Sequence, residues 1–249
     1  MKRLLTTLFL FLVLALPAQA EELIISAAAS LTDAFSDIEP AFEAQNPGVD
    51  VIMNFASSGA LYRQIEQGAP ADVFASANVK WMTKAEEGGF VLDGSRVTFA
   101  QNSLVLCVPK GNRAQISALA DLTAERVGKI GIGSPEHVPA GQYAKGALTK
   151  AGLWDQLTAK YIFGESVRQI LDYVGRAEVD CGFVYMTDAV KAGDAVQIIT
   201  EVPLEKAVTY PIAALKQSAK PDLAKKFVAF VASPEGQKLL AARGFKSAQ

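Results

Sequence analysis

The chain of 249 residues carries 24 Lys and Arg against 26 Asp and Glu, with one His, two Cys and 50% hydrophobic residues. That length suits one large or two ordinary domains burying most of their surface, so stability needs no disulfide framework. The slightly acidic balance argues against nucleic acid or anionic lipid as a partner, and one His with two scattered Cys has no zinc-site spacing.

Residues 1–20 read as a cleavable secretory signal: Lys2 and Arg3 precede an apolar run from Leu4 to Leu16, Pro17 breaks it, and Ala18-Gln19-Ala20 forms the cleavage site. The run is shorter than the ~20 residues a membrane span requires. No Cys follows the cleavage site, so a lipid anchor is not expected. Removing Lys2 and Arg3 leaves 22 basic against 26 acidic residues. Any anion bound by this chain must therefore be held by local donors rather than by the overall field.

Leu23 to Ile25 reads as a short buried strand, and from Ser30 the residues Leu31, Ala34, Phe35 and Ile38 recur at helical spacing. Ser30 stands where an N-cap belongs, with Asp33 three residues on, so a hydroxyl and unpaired N–H groups are expected beyond the strand end. Val49 to Phe55 alternates as a strand, and Ser57-Ser58-Gly59 opens a second helix with Ser58 at or near its cap. Val73 to Ala75 is a short strand, and Val79 to Glu87 a helix stopped by Gly88-Gly89. Val97 to Phe99 and Leu104 to Val108 look extended, with a domain crossing expected near Asn102 and Ser103.

Ala118 to Leu122 is a short helical piece, and Lys129 to Gly133 is a strand. After it, Pro139 is well placed in the first turn of a third helix, whose N-terminus lies near Ala140 and Gly141. Tyr161 to Phe163 is strand-like, and Ser166 caps a fourth helix carrying Val167, Ile170, Leu171 and Val174. Cys181 to Tyr185 is a buried strand, Met186 to Ala192 a short helix and Val196 to Val202 another strand. Pro203 to Thr209 leads back to a strand from Tyr210 to Leu215, and helices over Leu223 to Ala232 and Pro234 to Arg243 close the chain. The recurring strand, turn and helix unit argues for an α/β fold with mostly parallel sheets, whose ligands lie beyond the carboxyl ends of the strands.

Several chemistries are missing. Gly131 and Gly133 give G-x-G after a strand, but Glu136 occupies the third glycine position, and no phosphate-loop motif occurs. His137 reads as a structural or surface loop residue. A secreted serine hydrolase using Ser30 or Ser58 is a remote alternative, without a G-x-S-x-G elbow to support it. Cys107 and Cys181 are either two buried thiols or one disulfide, and spacing does not choose.

The segments AAASLTDAF, FASSGALYRQIEQGAPADVFASA and PEHVPAGQYAK, with GFVY followed by Asp188, closely resemble the periplasmic molybdate-binding proteins of ABC importers. The resemblance runs over essentially the whole mature chain. It implies a two-lobed periplasmic binding protein (type II) with a mixed, mostly parallel sheet in each lobe and a hinged cleft. One lobe would be 21–101 with 204–249, the other 102–203. It also implies that molybdate or tungstate is held through its oxygens, with no direct metal ligand, by Ser30, Ser58, Ala140, Val167 and Tyr185. A periplasmic monomer without catalysis or cofactor is expected, with a small oxyanion and a membrane permease as partners. Sulfate or thiosulfate is the alternative ligand. In the implied topology the strands of Cys107 and Cys181 run side by side, which leads to the expectation of a cross-strand disulfide.

Overall fold

The computed structural model describes residues 20–248; the expected signal segment, Ala20 excepted, lies outside the described residues. In chain order the elements are β1 (Glu21–Ala28), α1 (Thr32–Gln45), β2 (Val49–Ala56), α2 (Ser58–Glu66), β3 (Val73–Ala75), α3 (Val79–Glu87), β4 (Val97–Asn102) and β5 (Leu104–Pro109). Then follow β6 (Ile130–Gly133), α4 (Pro139–Lys150), β7 (Tyr161–Gly164), α5 (Val167–Gly175), β8 (Cys181–Tyr185), α6 (Met186–Ala192), β9 (Val196–Glu201), β10 (Val208–Ala214), α7 (Pro221–Ala232), α8 (Pro234–Ala242) and β11 (Lys246–Ser247).

They form two sheets, ordered β11-β4-β10-β3-β1-β2 and β7-β6-β8-β5-β9. Strands β1, β2 and β3 are mutually parallel, as are β6, β7 and β8, while β10 and β5 run antiparallel to their neighbours. The fold is therefore two-lobed α/β, with a mixed sheet in each lobe. The chain passes from the first sheet to the second at Ser103 and returns through 202–207.

Apolar periodicity explains how the helices seat. On α1 the rings of Phe35 and Phe42 face the first core, where Phe42 meets Phe227 of α7 edge-on at 5.1 Å. On α5 the residues Val167, Ile170, Leu171 and Val174 are buried. The glycines in KIGIG and CGFVY give that helix room: a Cβ at Gly182 would lie 2.6 Å from Val174 and one at Gly131 3.1 Å from Ile170. Small residues in these strands are thus a packing requirement.

Three expectations are corrected. Ser30 does not cap α1; it lies in a 3-10 turn over Ala29–Leu31, α1 starts at Thr32, and its N-cap, Leu31, makes no side-chain cap bond. Nor do the helices close the chain: β11, a strand too short to show a period, follows α8. The third concerns the cysteines, which are both free and buried. Tyr185 pairs with Leu104, so Cys107 stands opposite Gly182, not Cys181, one residue away from the pairing a disulfide requires. Adjacent residues of a strand point to opposite faces, so this one-residue difference places the two thiols on opposite sides of the sheet. Cys107 instead directs its thiol to the Gly182 carbonyl at 3.5 Å.

Candidate functional site

Strand register collects the helix starts. Ala28 of β1 pairs with Ala56 of β2, and Ala27 with Ala75 of β3, so these strands end at one sheet edge. Just beyond that edge lie Ser30 in its 3-10 turn and Ser58, the first residue of α2. In the second sheet Gly133 pairs with Gly164 and Gly131 with Gly182, so β6, β7 and β8 also end together. There stand Ala140, one residue into α4, Val167 at the start of α5, and Tyr185 at the end of β8.

The two edges face and touch one another. Gly59 N–H donates to the carbonyl of His137 at 3.0 Å, and the Asn78 amide donates to Gln142 Oε1 at 2.8 Å. Helix α5 packs against the 29–31 turn. All five predicted positions are buried at this junction: Ser58 is 0% exposed, Ala140 and Tyr185 1%, Ser30 2% and Val167 4%. His137, read from sequence as a structural or surface loop residue, is buried rather than on the surface, with Nε2 2.9 Å from Glu165 Oε2.

What these groups offer is hydrogen-bond donation. Ser58 Oγ accepts from Ala77 N–H at 3.0 Å, which leaves its own proton free to donate. The Tyr185 hydroxyl is buried with no hydrogen-bond partner among the described residues. Burial holds its pKa well above the ordinary tyrosine range, so it stays protonated. Ser30 Oγ lies 3.0 Å from the hydroxyl of Tyr210, whose ring sits 5.9 Å from that of Tyr185. At α4 and α5 the first-turn N–H groups have no partner within the helix, and the helix dipoles add positive potential.

The nearby cations are occupied. Arg168 of α5 reaches Asp33 of α1 at 2.5 Å and lies 2.7 Å from Asp188 of α6, and Lys191 also meets Asp33. Burial pushes the Asp33 carboxyl up, but hydrogen bonds from Lys191 and Arg168 outweigh it and hold the group below the usual range. At fully buried Asp188 the balance is reversed: burial dominates the pull of Arg168 and raises the pKa to about 6. A cavity of about 400 Å³ reaches Ser30 past Asp33, Arg168 and Thr187. A wider groove of about 680 Å³, between α4 and 203–206, contains none of the five positions.

Residues 23–246 match the family model of the bacterial extracellular solute-binding proteins. The chain belongs to this family. Among relatives of this solute-binding protein, the molybdate-binding protein ModA of Escherichia coli is 39% identical over 239 residues, covering 92% of this chain and 90% of that one. The molybdate-binding protein ModA of Haemophilus influenzae is 36% identical over 235 residues, with 92% of each chain covered. The solved periplasmic molybdate-binding protein of Azotobacter vinelandii superposes with a TM-score of 0.81 at 28% identity, covering 91% of this chain and all of that one.

Sequence reasoning passed over Tyr210, Asn102 and Thr187, which stand directly behind the site. Asn102 Nδ2 donates to Thr187 Oγ1 at 2.9 Å and to the Tyr210 hydroxyl at 3.3 Å. These partners are 85 and 108 residues apart in sequence, so no local pattern marks them.

Proposed function

We propose that the protein binds molybdate, and tungstate with it, outside the cytoplasm and delivers the oxyanion to the membrane permease of an ABC importer. The observation that carries this reading is the convergence, at one buried junction between two lobes, of donors without available cations. Ser30 and Ser58 contribute hydroxyls and backbone N–H groups, Ala140 and Val167 backbone N–H groups, and Tyr185 its unpartnered phenol. The names of the relatives support molybdate as the anion.

A tetrahedral dianion presents only acceptors, which this donor set matches. Each hydrogen bond to a charged group contributes about 1.5 to 3 kcal/mol net. The assembled set, less the cost of ordering and lobe closure, reaches the roughly −8 to −12 kcal/mol of micromolar to nanomolar binding. Because the donors come from both lobes, 21–101 with 204–249 and 102–203, the anion stabilises the closed form over the open one. The closed shape is what the permease reads. The protein acts as a periplasmic monomer.

Isothermal titration with molybdate, tungstate, sulfate and phosphate tests the reading. Tight binding of the first two with weak competition from the others is expected. Sulfate binding as tight as molybdate would move the assignment to another tetrahedral oxyanion, and no anion binding would remove it.

A further inference from the structure

Asp33 stands in the first turn of α1, three residues after Ser30, and belongs to the first lobe; Arg168, directly after Val167 in α5, and Lys191 in α6 belong to the second. The carboxylate meets both cations, one with each oxygen: Arg168 Nη2 donates to Oδ2 at 2.5 Å, and Lys191 Nζ donates to Oδ1. The side chains of Asp33 and Arg168 are largely withdrawn from solvent, at 19% and 21% exposed. Burial pushes the Asp33 carboxyl up, yet the two cations outweigh it, so the group is ionised at neutral pH. The guanidinium is also held from its own lobe, because its Nε lies 2.7 Å from Asp188, which is fully buried in α6. Arg168 is thus set in place within the second lobe, and closure does not have to order it.

We infer that Asp33 is a positioning residue for ligand retention: it latches the first lobe to Arg168 and Lys191 of the second and thereby sets how slowly the oxyanion leaves the closed cleft. The inference rests on the oxyanion reading above. The cavity of about 400 Å³ that reaches Ser30 is lined by Asp33, Arg168 and Lys191, so the ion pairs flank a way into the site. Widening that way by moving the lobes apart separates a partly desolvated carboxylate from two cations, which is harder than parting an exposed surface pair.

Elsewhere along the junction the lobes meet through neutral groups, Gly59 N–H on the His137 carbonyl at 3.0 Å and the Asn78 amide on Gln142 at 2.8 Å. Salt screens a contact between charges and leaves these neutral bonds as they are, so ionic strength singles out Asp33. The effect falls on release rather than on capture. With the lobes apart, Asp33 and Lys191 are freed together and their charges cancel at the mouth of the cleft, while Arg168 keeps Asp188. The approach of an anion therefore gains little from them.

The test is the release rate of radiolabelled molybdate, chased with an excess of unlabelled anion, from wild type and from Asp33→Asn at low and high salt. Wild type should release the anion faster, by roughly threefold or more, as sodium chloride rises from about 20 mM to about 0.5 M and screens the latch. Asp33→Asn should release it about tenfold faster than wild type at low salt, with the salt response largely gone and the association rate within about threefold. Lys191→Gln should speed release in the same sense by a smaller factor, and should add little in the Asp33→Asn background, because both substitutions act through one carboxylate. This second variant reads the latch even if the first fails to fold. Release from Asp33→Asn within about twofold of the wild-type rate, or a salt response that survives the substitution, would reduce Asp33 to a surface charge and overturn the inference. A wild type that binds no molybdate would remove the oxyanion reading, and the inference with it, before any variant is made.

Discussion

Gly141→Ala probes how closely α4 must approach the sheet for its first turn to serve the site. A Cβ at Gly141 would lie 1.7 Å from the Gly133 carbonyl oxygen and 2.6 Å from its carbon, about half and three quarters of the 3.4 Å or more of ordinary contact. Gly133 cannot yield easily, because it ends β6 and is paired with Gly164. The helix must therefore withdraw, by on the order of 1 Å or more in an interior that is close-packed. Overpacking of this kind costs about 1 to 3 kcal/mol, offset by the roughly 1 kcal/mol that Ala gains over Gly in a helix. The net loss of stability is therefore small, about 0 to 2 kcal/mol. The N–H of Ala140, one residue away, moves with the helix and loses a hydrogen bond to the anion of about 1.5 to 3 kcal/mol, or roughly 10- to 150-fold in affinity. Urea denaturation and isothermal titration with molybdate read the two quantities separately. A folded variant that binds within about threefold of wild type would refute the placement of α4 as an anion-holding helix.

Tyr185→Phe should have opposite effects on the two measurements. Removing a buried hydroxyl that has no partner relieves up to about 1 to 3 kcal/mol, so the melting temperature without ligand holds or rises while molybdate binding weakens by about tenfold or more; a fall in both would mean that the phenol has a structural partner. The raised pKa of Asp188 predicts a pH dependence. Burial moves this carboxyl from 3.8 to about 6, so the folded protein holds the proton more tightly than the unfolded chain. Its contribution to stability is full below about pH 4 and is lost as pH rises through about 6. The stability difference between wild type and Asp188→Asn, measured by urea denaturation, should therefore decline across that window and level off above it; a flat difference would refute the burial argument. The thiols should resist alkylation in the native protein, because burial pushes Cys107 up to about 12 and raises Cys181 as well. Denaturation should expose both cysteines equally with and without reductant, and a reductant-dependent thiol count would restore the disulfide.

What the sequence makes legible here is what local physics encodes. Strand, turn and helix units follow from apolar period and from Ser, Pro and Gly punctuation, and they locate Ser58, Ala140 and Val167 at helix starts. Ser166 caps α5 as expected, accepting from Gln169 N–H. Ser30 shows where that reasoning stops. Its spacing matches a cap, yet its hydroxyl turns to Tyr210, 180 residues away, and α1 begins after a 3-10 turn. The cysteine pairing failed for a related reason. Register between β5 and β8 is set by where the chain crosses between sheets, and an error of one residue there changes the face of every side chain. Asn102 ends β4, just before the chain passes to the second sheet at Ser103. Its role as a donor depends on Thr187 and Tyr210, which only the folded chain brings to it.

The same long-range contacts bear on why an anion site in an acidic protein would do without Arg or Lys. Cations are close at hand: Arg168 directly follows Val167, and Lys191 lies within reach of Asp33. Each is held by a carboxylate, Asp33 by both and Asp188 by Arg168, so the charges cancel across the lobe junction. A free guanidinium would attract any anion, protonated or not, because Coulomb attraction does not distinguish the oxygens of phosphate from those of molybdate. Fixed neutral donors respond to something more particular, the presence or absence of a proton on each ligand oxygen. Pairing the cations away and presenting neutral donors are thus two parts of one arrangement. The first removes unselective attraction, and the second makes the remaining affinity depend on the protonation state of the ligand.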